Sequence, residues 1–380
     1  ISKVLIGKDT RISGYMFESA LQAGFISAGM DVTLLGPLPT PGVSYLANSN
    51  NQVGAVISAS HNLFDDNGIK FFNKDGHKFS IELEKRIETK LTQEMTAVES
   101  INLGKATRMN DAQGRYIEFC KSSFTNLDLN GLSILLDCAN GATYYVAPKV
   151  FSELGAKVET IGASPDGINI NQNCGSTNPQ FLKEEMMKGS YDIGIAFDGD
   201  GDRILIVTSD GEILDGDDIL YILSSNLSVD SGIVGTLMTN KALELHFQKN
   251  NIPFMRADVG DKYVLHRLIE ESWLLGGEPS GHIICLDSAP TGDAIIAALK
   301  ILFALKDSNF SLKKSLEEFK KFPQTLINLK VDNPNRIIIS DKFWSKVTQI
   351  EKLLGEKGRV LVRPSGTEPL IRIMVESDDP

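Results

Sequence analysis

Phe197-Asp198-Gly199-Asp200-Gly201-Asp202-Arg203 joins two apolar runs, at 193–197 and 204–207. The flanks are short, rich in β-branched residues and uninterrupted, so they read as buried strands with the acidic stretch as the turn between them. In extended backbone alternate side chains share a face, which lets Asp198, Asp200 and Asp202 converge. Three hard oxygen donors suit Mg²⁺ or Ca²⁺ rather than Zn²⁺. Without a cation three such carboxylates would repel one another. An EF-hand is excluded: with Asp198 as position 1, position 6 is Arg203 instead of Gly and position 12 is Ser209 instead of Glu. A plain acidic hairpin turn is the alternative to a metal loop.

Working outward, strand-like and helix-like patterns alternate for about 300 residues, the signature of α/β layers. Strands are expected at 4–7, 32–35, 53–58 and 69–72, with helices at 14–28 and 81–95. A second cycle has strands at 132–138, 157–162 and 192–197 and a helix at 143–154. A third has helices at 217–225, 241–250, 261–270 and 293–305, with strands at 232–238, 252–256 and 282–286. The cycles resemble a degenerate repeat without a clean period. The segment 306–321 carries six Lys and Glu residues from Lys313 onward and reads as a solvated helix or linker. After Pro323 come strand 325–331, helix 341–354 and strands 359–363 and 370–376, a small α+β unit. The expected architecture is therefore three consecutive α/β domains with mixed sheets plus a C-terminal α+β domain, divided as 1–112, 113–213, 214–325 and 326–380.

A chain of 380 residues, 42% hydrophobic and 23% charged, can bury several cores. Its net charge of −11 and lack of a long basic run argue against a nucleic-acid partner. No stretch reaches the roughly 20 apolar residues of a membrane span, and no signal peptide is visible. Cys120, Cys138, Cys174 and Cys285 are widely separated and form no CxxC, as expected of reduced thiols in a cytoplasmic protein. The chain opens on Ile1 within a strand-like run, so a preceding segment is expected to be missing.

Three further loops carry reactive side chains. Ser58-Ala59-Ser60-His61-Asn62 follows a buried strand, which places Ser60 on a strand exit with His61 beside it, and Asn67-Gly68 turns Lys70 back alongside. Capping or loop geometry would explain Ser-His equally well. Gly277-Glu278-Pro279-Ser280-Gly281-His282 places Glu278, Ser280 and His282 at alternate positions, suited to sugar hydroxyls, or else it is a Gly-rich hairpin. Arg363-Pro364-Ser365-Gly366-Thr367-Glu368-Pro369, with Arg372 beyond, offers hydroxyls, backbone N–H groups and two guanidinium groups to a phosphate, or is a simple turn.

Taken together, the serine, metal, sugar and phosphate loops occur in the order found in the α-D-phosphohexomutase superfamily, which the chain resembles nearly end to end. Within it the sequences Asp66-Asn67-Gly68-Ile69-Lys70-Phe71-Phe72, Asp137-Cys138-Ala139-Asn140-Gly141-Ala142-Thr143 and Pro165-Asp166-Gly167-Ile168-Asn169-Ile170-Asn171 are similar to the branch that acts on amino sugars. The resemblance implies four domains around a central cleft, and interconversion of glucosamine 6-phosphate and glucosamine 1-phosphate. Ser60 would carry the phosphoryl group and pass through glucosamine 1,6-bisphosphate. One Mg²⁺ would sit on Asp198, Asp200, Asp202 and a phosphoserine oxygen, with Arg203 beside it. Lys70 and His61 would transfer protons; Glu278, Ser280 and His282 would hold the sugar. Arg363, Ser365, Gly366, Thr367 and Arg372 would hold the non-reacting phosphate. A homodimer is compatible with the resemblance. Two departures stand out: Leu63 replaces the usual proline, which is expected to loosen the serine loop, and the family's N-terminal segment with its substrate-facing arginine is absent from this sequence. The rival readings are mutase chemistry on mannose or glucose phosphates, or a non-catalytic sugar-phosphate-binding protein.

Overall fold

The computed structural model describes residues 3–225, 231–331, 340–364 and 370–379. Four sheets follow one another along the chain. The first contains β1 (Lys3–Lys8), β2 (Asp31–Pro37), β3 (Val53–Ile57), β4 (Ile69–Phe72) and β5 (Ala106–Arg108), in the order β4-β3-β1-β2-β5. The second contains β6 (Ser133–Asp137), β7 (Lys157–Ile161), β8 (Ile193–Phe197), β9 (Ile204–Thr208) and β10 (Ile213–Leu214), in the order β10-β9-β8-β6-β7. The third, β12-β11-β13-β14, is built from β11 (Ile233–Thr236), β12 (Phe254–Ala257), β13 (Leu275–Gly277) and β14 (Ile283–Cys285). The fourth is antiparallel, with β17 (Leu370–Ser377) between β15 (Gln324–Lys330) and β16 (Gly358–Pro364).

The weak repeat in the sequence has a structural counterpart. In each of the first three sheets, three parallel strands are followed by one antiparallel strand paired with the third: β3 with β4, β8 with β9, β13 with β14. The three connecting loops, 58–68, 198–203 and 278–282, are thus topologically equivalent. Each lies at the carboxyl end of a parallel strand, where open α/β sheets place their ligands.

Apolar patterning explains most elements. β3, β8 and β9 are buried at every residue, as their unbroken apolar runs require. The helix Ala294–Leu305 is apolar on all sides and nine of its residues are buried, so it packs between units rather than over one. Three helices escape the sequence patterns, one of them Ala112–Ser122. Thr40–Ser49 contains Pro41, Gly42 and three hydroxyl residues, poor helix formers that are tolerated because seven of its residues are buried. Pro179–Met186 opens on a proline that reads as a loop but occupies the first helical turn. The charged segment 306–321 is less helical than expected. Only Leu312–Leu316 is α-helical there, since Asn309 and Phe310 adopt left-handed φ values of 56° and 58° and break the preceding turn. The helix expected to reach 95 ends at Lys90.

One hydrophobic core runs through the first three units, from Leu5 and Val43 through Tyr116 and Phe151 to Phe197 and Leu299. The fourth sheet keeps its own buried residues, Val347, Leu370, Ile371 and Met374. It docks through polar contacts on the loop that follows β11. Arg359 donates to the Leu237 and Thr239 carbonyls at 2.9 and 2.6 Å, and the Lys241 amide donates to Glu376 Oε1 at 3.0 Å. The covalent connection is anchored on the same loop: Asn240 bonds both the amide and the carbonyl of Phe322, each at 3.0 Å.

Beneath that loop, Asp215 and Asp218 form a capping box on the helix Gly216–Ser224, and Lys321 pairs with both. The adjacent Asp217 is 2% exposed, and burial, then the Asp215 charge, pushes its carboxyl up to about 8. Its folded pKa thus lies above the unfolded one, so its contribution to stability is lost as pH rises from the unfolded value toward about 8. Asp217→Asn keeps an acceptor for the Asn240 amide, which lies 2.8 Å from Asp217 Oδ2. Melting temperatures of parent and variant should coincide near pH 4, then diverge by several degrees in the variant's favour and level off above about pH 8. Parallel pH profiles would show that Asp217 stays charged in the fold.

Candidate active site

The three equivalent loops meet. Ser60 leaves β3 with φ of +52°, and its Oγ donates to Asp198 Oδ2 at 2.7 Å, bringing the first loop onto the second. His61 Nδ1 lies 3.4 Å from the same Oγ. Lys70, on β4, reaches Asp200 Oδ2 at 2.7 Å and Asp202 Oδ2 at 3.3 Å. The third loop forms an isolated antiparallel bridge between His282 and Arg203, and the Ile204 amide donates to the Gly281 carbonyl at 3.0 Å. His61, Lys70, Arg203 and Ser60 are therefore all assembled around the acidic turn.

Asp198, Asp200 and Asp202 are buried, and each offers an oxygen within 4.8 Å of the others'. Their surroundings satisfy one side of the cluster only. Asp198 Oδ1 accepts the Asp202 and Arg203 amides at 3.0 and 3.1 Å, which wraps the backbone around that carboxylate. Gly201, at φ +73°, makes the wrap without Cβ strain. Thr40 Oγ1 donates to Asp200 Oδ2 at 2.5 Å. Asp200 Oδ1 and Asp202 Oδ1 are buried without a hydrogen-bond partner among the described residues. Orphaned carboxylate oxygens in a hard-donor cluster fit a divalent cation, which would complete their coordination.

Burial, with Asp202 and Asp200 adding to it, pushes the Asp198 carboxyl well above its ordinary value. Burial acts the same way on Asp202, but Lys70 and His282 outweigh it and hold that carboxyl well below the usual range. Burial opposes the charge on Lys70, yet Asp200 and Asp202 raise its pKa and keep the ammonium. His61 is lowered by burial and then by Arg203, which favours neutral imidazole. The site thus pairs a charged amine with a neutral imidazole.

Residues 278–282 form the Gly-rich hairpin turn, so their alternate residues do not share one side. Glu278 N donates to the His282 carbonyl and Gly281 N to the Glu278 carbonyl, both at 3.0 Å, so the chain reverses at Pro279-Ser280. A tight turn does not alternate its faces. Glu278 and His282 are buried while Ser280 is exposed. Glu278 Oε1 accepts the Gly260 amide at 2.9 Å, and His282 lies 3.6 Å from Asp202 and from Asp261. His282 therefore faces the acidic cluster.

On the fourth sheet, Arg363 and Arg372 sit directly opposite each other across β16 and β17. Like charges in that register destabilise a sheet, and burial followed by Arg372 lowers the pKa of Arg363. An anion between them would relieve the pair. Ser365, Gly366 and Thr367 lie outside the described residues.

Sequence reasoning overlooked several contributors. Arg11 is 1% exposed and donates to the carbonyls of Ser60, Asn62 and Leu63. Asn171 reaches the first two of these from the second unit at 2.9 and 2.8 Å. Leu63, expected to loosen the loop, has its own carbonyl tied down. Lys78 and Asp261 form an ion pair beside His282. The position of Gly7-Lys8-Asp9-Thr10-Arg11 at the end of β1, the switch point of its sheet, was the signal for Arg11. Asn171 and Asp261 had no local signal.

Comparison with known proteins adds the following. Family models described as phosphoglucomutase/phosphomannomutase match in four parts: alpha/beta/alpha domain I over residues 1–98, domain II over 114–211, domain III over 215–322 and the C-terminal domain over 326–380. A phosphoglucosamine mutase of Legionella pneumophila (strain Corby) is 53% identical over 380 residues, covering 98% of this chain and 84% of that protein. A phosphoglucosamine mutase of Pseudomonas entomophila (strain L48) is 54% identical over 387 residues, covering 99% and 86%. Among solved structures, a phosphoglucomutase/phosphomannomutase family protein from Burkholderia thailandensis superimposes with a TM-score of 0.83 at 24% identity, over 100% of this chain and 85% of that one. Aspergillus fumigatus N-acetylphosphoglucosamine mutase, solved in complex with GlcNAc-6P and magnesium, gives 0.70 at 17% identity, over 90% and 89%. At these identities the structural likeness speaks for the fold. Among the described residues no helix is long and apolar enough to cross a membrane.

Proposed function

The chain belongs to the phosphoglucomutase/phosphomannomutase family, and we propose that it works there as a phosphoglucosamine mutase, interconverting glucosamine 6-phosphate and glucosamine 1-phosphate. The observation that carries the residue roles is the convergence of Ser60 Oγ on Asp198 at 2.7 Å, inside a cluster with two orphaned carboxylate oxygens.

Ser60 gives its phosphoryl group to the sugar O1. The Ser60 Oγ–P bond breaks as the O1–P bond forms, and the hydroxyl proton leaves to a base, for which His61 is the neutral candidate. The resulting glucosamine 1,6-bisphosphate turns over in the cleft, and its 6-phosphate returns to Ser60. Lys70 supplies a proton where an oxygen departs, and Arg203 adds positive charge. One Mg²⁺ held by Asp198, Asp200, Asp202 and a phosphoserine oxygen would offset the charge of the transferring group, the term that dominates phosphoryl transfer. Glu278, Ser280 and His282 contact the sugar, although the turn geometry favours Glu278 and Ser280 for hydroxyls and His282 for orienting the acidic cluster. Divisions near 112, 213 and 325 separate four units, and the four unpaired buried thiols fit a cytoplasmic setting.

Arg363, Ser365, Gly366, Thr367 and Arg372 hold the non-reacting phosphate, which is the same dianion in both orientations. Arg363→Ala removes a charge-assisted contact worth about 1.5–3 kcal/mol. Its kcat/KM should fall roughly ten- to a hundredfold in both directions, with Mg²⁺ affinity unchanged. A defect in one direction alone would assign the loop another role. Sugar choice is tested by assaying glucosamine, mannose and glucose phosphates side by side. Preference for mannose or glucose phosphate would overturn the amino-sugar reading.

A further inference from the structure

The backbone of Ser60 is held in a way the chemistry at its hydroxyl does not require. Its φ of +52° is a left-handed value that L side chains adopt at a cost. The buried Arg11 guanidinium spans the loop: Nη2 donates to the Ser60 carbonyl at 3.1 Å and the Asn62 carbonyl at 2.8 Å, and Nη1 donates to the Leu63 carbonyl. Its Nε is held by Asp9 Oδ2 at 2.9 Å, and its own amide bonds Asp9 Oδ1 at 2.9 Å. From the second unit, Asn171 Nδ2 bonds the same Ser60 and Asn62 carbonyls. The acidic turn closes the arrangement. A Cβ on Gly199 would lie 2.7 Å from the Ser60 carbonyl and 2.6 Å from Asn171 Nδ2. Any larger residue there would push the clamp off the loop.

We propose that Arg11, with Asn171, is a positioning residue for Ser60. It fixes the loop carbonyls so that only the Ser60 side chain moves between the acceptor hydroxyl and the acidic cluster. This rests on the reading of Ser60 as the phosphoryl carrier. Arg11 touches no reacting atom; it acts through three carbonyls that a planar, forked cation can hold together and an ammonium cannot. Because one guanidinium and one amide from different units grip the same two carbonyls, the serine keeps its register relative to the aspartates of the second unit. A displaced serine would lose transfer to sugar more than it loses sugar binding, and would leave its phosphate more open to water.

The test uses the full chain and measures three quantities: phosphorylation of Ser60 by a hexose 1,6-bisphosphate, followed by intact mass; release of inorganic phosphate from the phosphorylated chain; and KM for the sugar phosphate. Arg11→Lys retains a cation for Asp9. It should melt close to the parent yet phosphorylate about a hundredfold more slowly, the cost of a 1 Å misplacement. KM should be nearly unchanged, and phosphate release to water should rise relative to transfer. Asn171→Ala should shift the same ratios less. Arg11→Ala should regain part of its rate when free guanidinium is added. Arg11→Lys and Asn171→Ala that melt and transfer like the parent would overturn the clamp alone. So would losses that track melting temperature and show no guanidinium rescue. A parent chain that takes no phosphate onto Ser60 overturns the functional reading and the clamp with it.

Discussion

Ser60→Ala is expected to abolish mutase turnover while leaving the fold intact. The substitution removes one oxygen whose described contacts are Asp198 and His61. The loop's own bonds come from Arg11, Asn171 and Ser58, none of which uses the Ser60 hydroxyl. Loss of a covalent nucleophile costs on the order of 10⁴–10⁶ in kcat, so residual activity should fall to background in a coupled assay. Intact mass should show one phosphate on the parent after exposure to a bisphosphate and none on the variant. The melting temperature should move little, since Asp198 keeps both backbone donors. A variant that still turns over, or that takes up phosphate elsewhere, would remove Ser60 from the mechanism.

Withdrawal of divalent cation should have the next largest effect. Chelation should lower turnover about 10²–10³-fold, as expected when a preorganised electrostatic stabiliser is removed, and Mg²⁺ should restore it. The effect on stability has a definite sign. Two orphaned carboxylate oxygens, and an Asp198 carboxyl raised by burial and then by Asp202 and Asp200, mark a cluster whose charge a cation would offset. Binding should raise stability by mass action, about 2.7 kcal/mol at a hundred times Kd. Protons compete for Asp198, whose folded pKa lies above the ordinary value, so Mg²⁺ affinity should weaken as pH falls toward that pKa. Asp200→Asn should reproduce the chelated state, with sugar-phosphate affinity largely kept. Chelation that changes neither turnover nor melting temperature would assign the aspartates a structural role.

Much of this was legible because it was local. Asp198, Asp200 and Asp202 lie within five residues, and Ser60 with Lys70 within eleven, so spacing alone could suggest a shared face. β1, β3 and β8 were legible as apolar runs, and the helix 341–354 coincides with Asp341–Leu354 because its apolar stripe keeps the helical period. The rest depended on chain brought from afar. Arg11 is 49 residues from Ser60 and Asn171 is 111. The Thr40–Ser49 helix is set by burial against β1 and β3 and the helix Ala112–Ser122, and tertiary packing overrides its weak propensity. At 278–282 the Gly-rich hairpin, one of the two readings the sequence offered, is the one that forms, and the shared face of Glu278, Ser280 and His282 is lost with it.

The attachment of the fourth unit has a further consequence. Phe322 is fixed to Asn240, and β15 begins at Gln324, so Pro323 alone separates the anchor from the fourth sheet. With so short a tether, the effective concentration of this unit at its dock stays high even when its contacts break. Any swing of this unit off its dock would turn about one proline, opposed by a few hydrogen bonds of about 1 kcal/mol each. It escapes the roughly 4–15 kcal/mol of rigid-body entropy that a free partner would lose on each return. Were such a swing part of each turnover, so short a tether would let it repeat at little cost.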